Sequence, residues 1–115
     1  MRIKIRLHSG KRILARAFPT SHPLLFVTPV RVKKEFSPTG YAYWSEDEWA
    51  ITHKPTGYAV AYADEFADAR EIANLLGASG IPWEKLRSRK DSKRYSDKRE
   101  QALNTFYAVK EKVTA

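Results

Sequence analysis

The sequence predicts an α+β fold, an antiparallel sheet of about four to six strands with one helix near residues 65–76 and a C-terminal helix near 97–113. Three observations predict it. Apolar and polar residues alternate with a period of two from Arg2 to His8 and again from Trp49 to Ala63, the pattern of half-buried strands. The string Pro-Thr-Gly-Tyr-Ala occurs twice, at 38–42 and 55–59, each time between two strand-like runs. Apolar residues then recur at helical spacing from Phe66 to Leu76 and from Ala102 to Val113.

The elements follow in chain order. Ile3, Ile5 and Leu7 alternate with Arg2, Lys4, Arg6 and His8. Ser9-Gly10-Lys11 supplies a turn, and Arg12 to Phe18 should return antiparallel as an N-terminal hairpin. Leu24 to Val27 lies in a stretch punctuated by Pro19, Pro23 and Pro29, and fits either a short buried strand or an irregular loop over the core. Val30 to Phe36 is expected as a strand, joined by the first copy of the repeated string to Tyr41–Trp44. Ser45 to Asp47 is expected as an acidic loop.

A second hairpin should run from Glu48–His53 to Tyr58–Ala63 around Lys54-Pro55-Thr56-Gly57. Pro presets an early turn position there, and Gly accepts φ > 0 at the last. A His53–Tyr58 pair beside the turn would set Ile51 against Val60 and Trp49 against Tyr62. That register makes one aromatic face and one face of nearly all Ala. Asp64 is expected to cap a helix beginning at Glu65, with Phe66, Ala69, Ile72, Ala73 and Leu76 turned inward and Gly77 as its stop. This helix would settle on the Ala face, and the C-terminal helix would cover the aromatic one.

Ile81-Pro82-Trp83 with Leu86 predicts a short helical turn. Residues 85–96 read as a mobile basic arm. Asp97 and Glu100 have the spacing of a capping box. Ala102, Phe106, Val109 and Val113 then make a stripe that Leu103 and Tyr107 widen.

At 115 residues the chain predicts one domain, 1–115. It contains no Cys, so it offers neither a disulfide nor a thiolate metal site. Nothing resembles a signal peptide or a membrane span, and the expectation is a cytoplasmic protein without a membrane partner. The net charge of +8 is unevenly spread. Residues 1–34 hold nine Lys/Arg and no acid, residues 35–84 hold two basic and nine acidic residues, and residues 85–115 hold ten basic and four acidic. Two basic ends around an acidic middle point to a polyanion-facing surface.

The candidate contacts are Arg2, Lys4 and Arg6 on the outward row of the first strand. Lys85, Arg87, Arg89, Lys90, Lys93 and Arg94 on the arm join them. Such groups position phosphates rather than read bases. The bland alternatives are a charged strand edge that blocks aggregation and a solvated linker. Trp49, Tyr58 and Tyr62, with Tyr41, Tyr43 and Trp44 nearby, are either core or a base-stacking platform, and burial is the expectation for most of them.

His8, His22 and His53 form no metal-ligand pair at helical spacing, and no phosphate loop or nucleophile motif occurs, so neither a metal nor a cofactor is expected. The strands and helix over residues 41–77 resemble the three-stranded DNA-binding modules of integrases and plant AP2 domains. That stretch is the acidic part of the chain, which argues against binding DNA by its sheet face.

The resulting expectation is a small non-enzymatic protein that binds nucleic acid, DNA or RNA, or a ribonucleoprotein, through its basic ends. One alternative is a protein-binding modulator or inhibitor that uses Glu46, Asp47 and Glu48 with Asp64, Glu65, Asp68 and Glu71. A second is a metal-independent ribonuclease with His53 as base beside Lys54 and Tyr58.

Overall fold

The computed structural model describes residues 1–7 and 9–114, with side chains through Glu111. The expectations placed on His8 and on the Val113 side chain lie outside the described residues. Strands β1 (Arg2–Arg6) and β2 (Arg12–Arg16) pair antiparallel as the alternation requires. Ile3 stands opposite Ala15 and Ile5 opposite Ile13, so one face of this hairpin is apolar.

The main sheet is antiparallel and ordered as β3 (Phe18–Pro19), β4 (Leu25–Val32), β5 (Tyr43–His53) and β6 (Ala59–Ala63). Two expectations change here. The segments Leu24–Val27 and Val30–Phe36 are not separate: one strand runs from Leu25 to Val32, and Lys34–Phe36 is a 3-10 turn. Pro29 is tolerated because β3 pairs only with Phe26 and Val27, so beside Pro29 that edge of β4 has no ladder to interrupt. The acidic loop at Ser45–Asp47 is absorbed into β5, but Ser45, Glu46, Asp47 and Glu48 stand opposite Val30 alone and bulge from the ladder. The resemblance over 41–77 therefore covers two strands and a helix, and the third strand, β4, precedes it.

The second hairpin begins in the expected register. The His53 amide donates to the Tyr58 carbonyl and the Gly57 amide to the His53 carbonyl. Val60 then bulges, and beyond it Ile51 pairs with Ala61, Ala50 with Tyr62 and Trp49 with Ala63. One inserted residue moves every later side chain to the other face. The expected aromatic row is thus divided. Trp49 stays on the helix side against Phe18 and Phe66, at ring separations of 6.1 and 5.1 Å. Tyr62 goes to the opposite face.

Helix α1 (Phe66–Gly77) buries Ala69, Ile72, Ala73 and Leu76 on Leu25, Val27, Ile51 and Ala61 of the sheet. Each large apolar side chain there contributes about 1.5–3 kcal/mol. Its N-cap is Glu65, not Asp64, and no side chain bonds the first turn. A 3-10 turn at Trp83–Lys85 buries Trp83, whose indole N–H donates to the Leu76 carbonyl at 3.0 Å. Two further helices follow, α2 (Arg89–Lys93) and α3 (Ser96–Thr114). Ala102 and Phe106 of α3 join the core under α1, while Val109 of the expected stripe is exposed.

Both long helices lie on one face of the sheet. The expectation that the C-terminal helix covers the other face is therefore corrected. The hairpin covers it, because its own apolar face needs a partner: Ile3, Ile5, Ala15 and Ala17 pack with Phe26 into a second core. The layers are hairpin, sheet and helices.

Candidate nucleic-acid interface

The hairpin docks on the sheet at Gly57. The Arg6 amide donates to the Gly57 carbonyl at 2.8 Å. Gly57 has φ +75°, and a Cβ there would sit 3.1 Å from the Lys4 carbonyl oxygen and 3.2 Å from the Arg6 nitrogen. Only glycine allows both this turn and this approach.

That docking brings the two basic ends of the chain together at Tyr58. The Arg6 guanidinium lies over the Tyr58 ring at 5.2 Å from its centre, and the Arg89 guanidinium at 5.3 Å. The ring face attracts each cation by about 0.5–1 kcal/mol, but the two cations repel each other. Neither forms an ion pair among the described residues, and the buried Arg6 Nε has no hydrogen-bond partner there.

Beside Tyr58 a groove of about 720 Å³ opens between the free end of the hairpin and the sheet. Leu7 and Ile13 line its hairpin wall, and Thr28, Ala50 and Thr52 its floor. The Thr28 and Thr52 hydroxyls bond each other at 2.9 Å, so this floor is small and polar-satisfied. Tyr62 faces the groove and keeps 52% of its surface exposed, a consequence of the Val60 bulge. The cations on the groove are Arg6, Lys11, Arg31, Lys33, Lys34 and Arg89, and the acid among the lining residues is Glu35.

The outer face of the hairpin continues this charge. Arg2 stands opposite Arg16, Arg6 opposite Arg12, and Lys4 opposite Leu14. Like charges set directly across a ladder destabilise it. An anion laid over them would relieve that repulsion. Apart from Glu35, the groove and the hairpin carry no acid: Glu46, Asp47 and Glu48 sit in the β5 bulge, and Asp68 on α1, where it binds Lys110 of α3 at 2.6 Å. The Asp68 carboxylate, with Glu65 and Asp64 near, holds the Lys110 ammonium above its usual lysine range.

The nine candidate cations divide into groups. Arg6 and Arg89 meet at the groove, and Arg2 and Lys4 point out from the hairpin. Lys93 turns with Arg89 toward a smaller cavity behind Tyr58. Lys85, Lys90 and Arg94 are exposed outside both cavities. Arg87 is tied locally, donating from Nη1 to the Glu84 carbonyl at 2.8 Å. The expected arm thus follows a 3-10 turn and holds a short helix, organised by Asp91, which accepts from the Arg87 amide while its own amide donates to the Ser88 hydroxyl.

Sequence reasoning missed Arg12 and Arg16, which the antiparallel return of β2 already places opposite Arg6 and Arg2. It also missed Lys11, Arg31, Lys33 and Lys34, which only the packing of hairpin on sheet brings together.

His53 is 2% exposed. Its Nε2 lies 2.7 Å from the Trp83 carbonyl and its Nδ1 2.9 Å from the Thr56 hydroxyl. A carbonyl only accepts, so Nε2 carries the proton and Nδ1 accepts from Thr56. Burial holds its pKa below the usual 6.5, partly opposed by the Trp83 bond. A ring with both nitrogens engaged holds the turn together and has no site left to take a proton from a ribose hydroxyl. Among the described residues no three of His, Cys, Asp and Glu gather where a metal ion would sit. No helix among them is long and apolar enough to cross a membrane. Comparison of the chain with models of protein families, with curated proteins and with solved structures found no match.

Proposed function

We propose that this protein binds single-stranded nucleic acid along the groove between its N-terminal hairpin and its sheet. The observation that carries the reading is the meeting of Arg6 and Arg89, from opposite ends of the chain, over one tyrosine ring at the groove's edge. Backbone phosphates would lie along Lys11, Arg31, Lys33 and Lys34, and a base would stack on the exposed Tyr62. An unpaired strand leaves its bases free to stack on the exposed Tyr62, whereas a duplex keeps its bases stacked on one another. No side chain is assigned to catalysis.

The test is fluorescence anisotropy with a short labelled single strand and its duplex. Tight single-strand binding at low salt, weaker duplex binding and a steep loss of affinity with added salt are expected. Absence of single-strand binding at low salt would contradict the reading.

A protein partner on the acidic surface is the second reading. It is supported by the bulge of Glu46, Asp47 and Glu48 out of β5, next to the exposed Tyr43. A partner retained in a pull-down after nuclease treatment, and lost when those three acids are neutralised, would favour it.

A further inference from the structure

Behind Tyr58 lies a second cavity of about 310 Å³, more enclosed than the groove and sharing Tyr58, Ala59 and Arg89 with it. Val60, Trp83 and Leu86 give it an apolar wall that belongs to the core. Its charged lining is of one sign. Arg89, Lys93 and Arg99 face it, and no carboxylate does. None of the three cations forms an ion pair among the described residues.

Hydroxyls complete the lining. Ser88 accepts from the Asp91 amide and keeps its own proton to donate. The Ser92 hydroxyl has no hydrogen bond among the described residues. The volume is at the small end of ligand pockets, which run from about 300 to 1,000 Å³.

We infer that this cavity receives the terminal phosphate monoester of a strand lying in the groove, so that the protein recognises a nucleic-acid end. The inference rests on the proposed groove binding and adds to it. A phosphate inside a strand is a diester with one charge and a chain leaving on both sides. A terminal monoester carries about −1.5 to −2 at pH 7 and has three free oxygens. It matches three cations and two hydroxyl donors in a small cavity better than a singly charged diester does. The shared Arg89 stands between the two cavities, where it would hold the last internal phosphate and the terminal one in turn.

The experiment compares one oligonucleotide sequence in three forms: 5′-phosphorylated, 3′-phosphorylated, and with hydroxyls at both ends. One phosphorylated form should bind at least tenfold more tightly than the hydroxyl form, and which one identifies the end. Arg99→Gln and Ser92→Ala should each reduce that preference severalfold and leave the affinity for the hydroxyl form within twofold, which also reports that they fold. Equal affinity for all three forms would overturn the end-recognition inference while leaving groove binding intact. A preference that survives both substitutions would overturn the assignment to this cavity. Binding of none of the three forms would remove both this inference and the groove reading.

Discussion

The two copies of Pro-Thr-Gly-Tyr-Ala share a left-handed glycine but not a turn or surroundings: the Gly40 amide bonds the Ser37 carbonyl three residues back, and the Gly57 amide the His53 carbonyl four residues back. Gly40 and Gly57 both take positive φ, +79° and +75°. Each copy joins two antiparallel strands of the main sheet. The first copy faces solvent: among the described residues nothing comes within 4 Å of a Cβ on Gly40, the Thr39 hydroxyl bonds only Ser37, and Tyr41 is 76% exposed. The second copy is a junction. Thr56 is buried against His53, Gly57 touches the backbone of β1, and Tyr58 carries two guanidinium groups. Both copies place a glycine in the left-handed region; docking of the distant hairpin turns one of the two into the edge of a site.

The largest difference between the copies is expected at the glycines. Gly40→Ala should cost about 1–2 kcal/mol, the cost of forcing a side chain into the left-handed region. Gly57→Ala carries the same strain plus about 1–3 kcal/mol for crowding Lys4 and Arg6. Urea unfolding measures both, and equal costs would break the comparison.

The tyrosines should differ next. Tyr58→Leu removes the ring that holds Arg6 and Arg89 at the groove and should weaken single-strand binding by about 0.5–1 kcal/mol for each cation released, while Tyr41→Leu leaves it unchanged. Equal effects in the same anisotropy titration would place the site elsewhere.

At the threonines, Thr56→Val strips His53 Nδ1 and the Tyr58 amide of their buried partner and should destabilise by about 1–3 kcal/mol. Thr39→Val, on the surface, should change stability by less than about 0.5 kcal/mol in the same unfolding assay.

The smallest difference is in pH response, which only the second copy has through His53. Its folded pKa lies below its unfolded value of 6.5, so the unfolded chain binds the proton more readily. Stability is fully present above pH 6.5 and falls as the pH drops below it toward the folded value. Unfolding midpoints at about pH 7.5 and 5.5 should show the fall, and His53→Gln should reduce it.

Much of the fold is legible in the sequence because its signals are local. Ile3 and Ile5 alternate with cations, and Ile72 and Leu76 recur at helical spacing, so β1 and α1 follow directly. The Val60 bulge is not legible. Ala59, Ala61 and Ala63 are too small to prefer a face, so nothing in that run opposes a one-residue slip. That slip decides where Tyr62 points, and with it the groove floor. The apolar face of the N-terminal hairpin competes with the C-terminal helix for the second sheet face, and no local signal in the sequence says which of the two covers it. Of the site, the cations of β1 and the arm were legible as charge, but their meeting at Tyr58 depends on a contact between residues more than fifty positions apart.

The most direct measurement of whether the two basic ends act as one surface is the salt dependence of single-strand affinity in the wild type and in Arg6→Gln/Arg89→Gln. The slope of log affinity against log salt should become shallower by roughly 0.7 for each lost phosphate contact, about 1.4 for the pair. A folded double variant with an unchanged slope would contradict it, because the two cations over Tyr58 would then touch no phosphate.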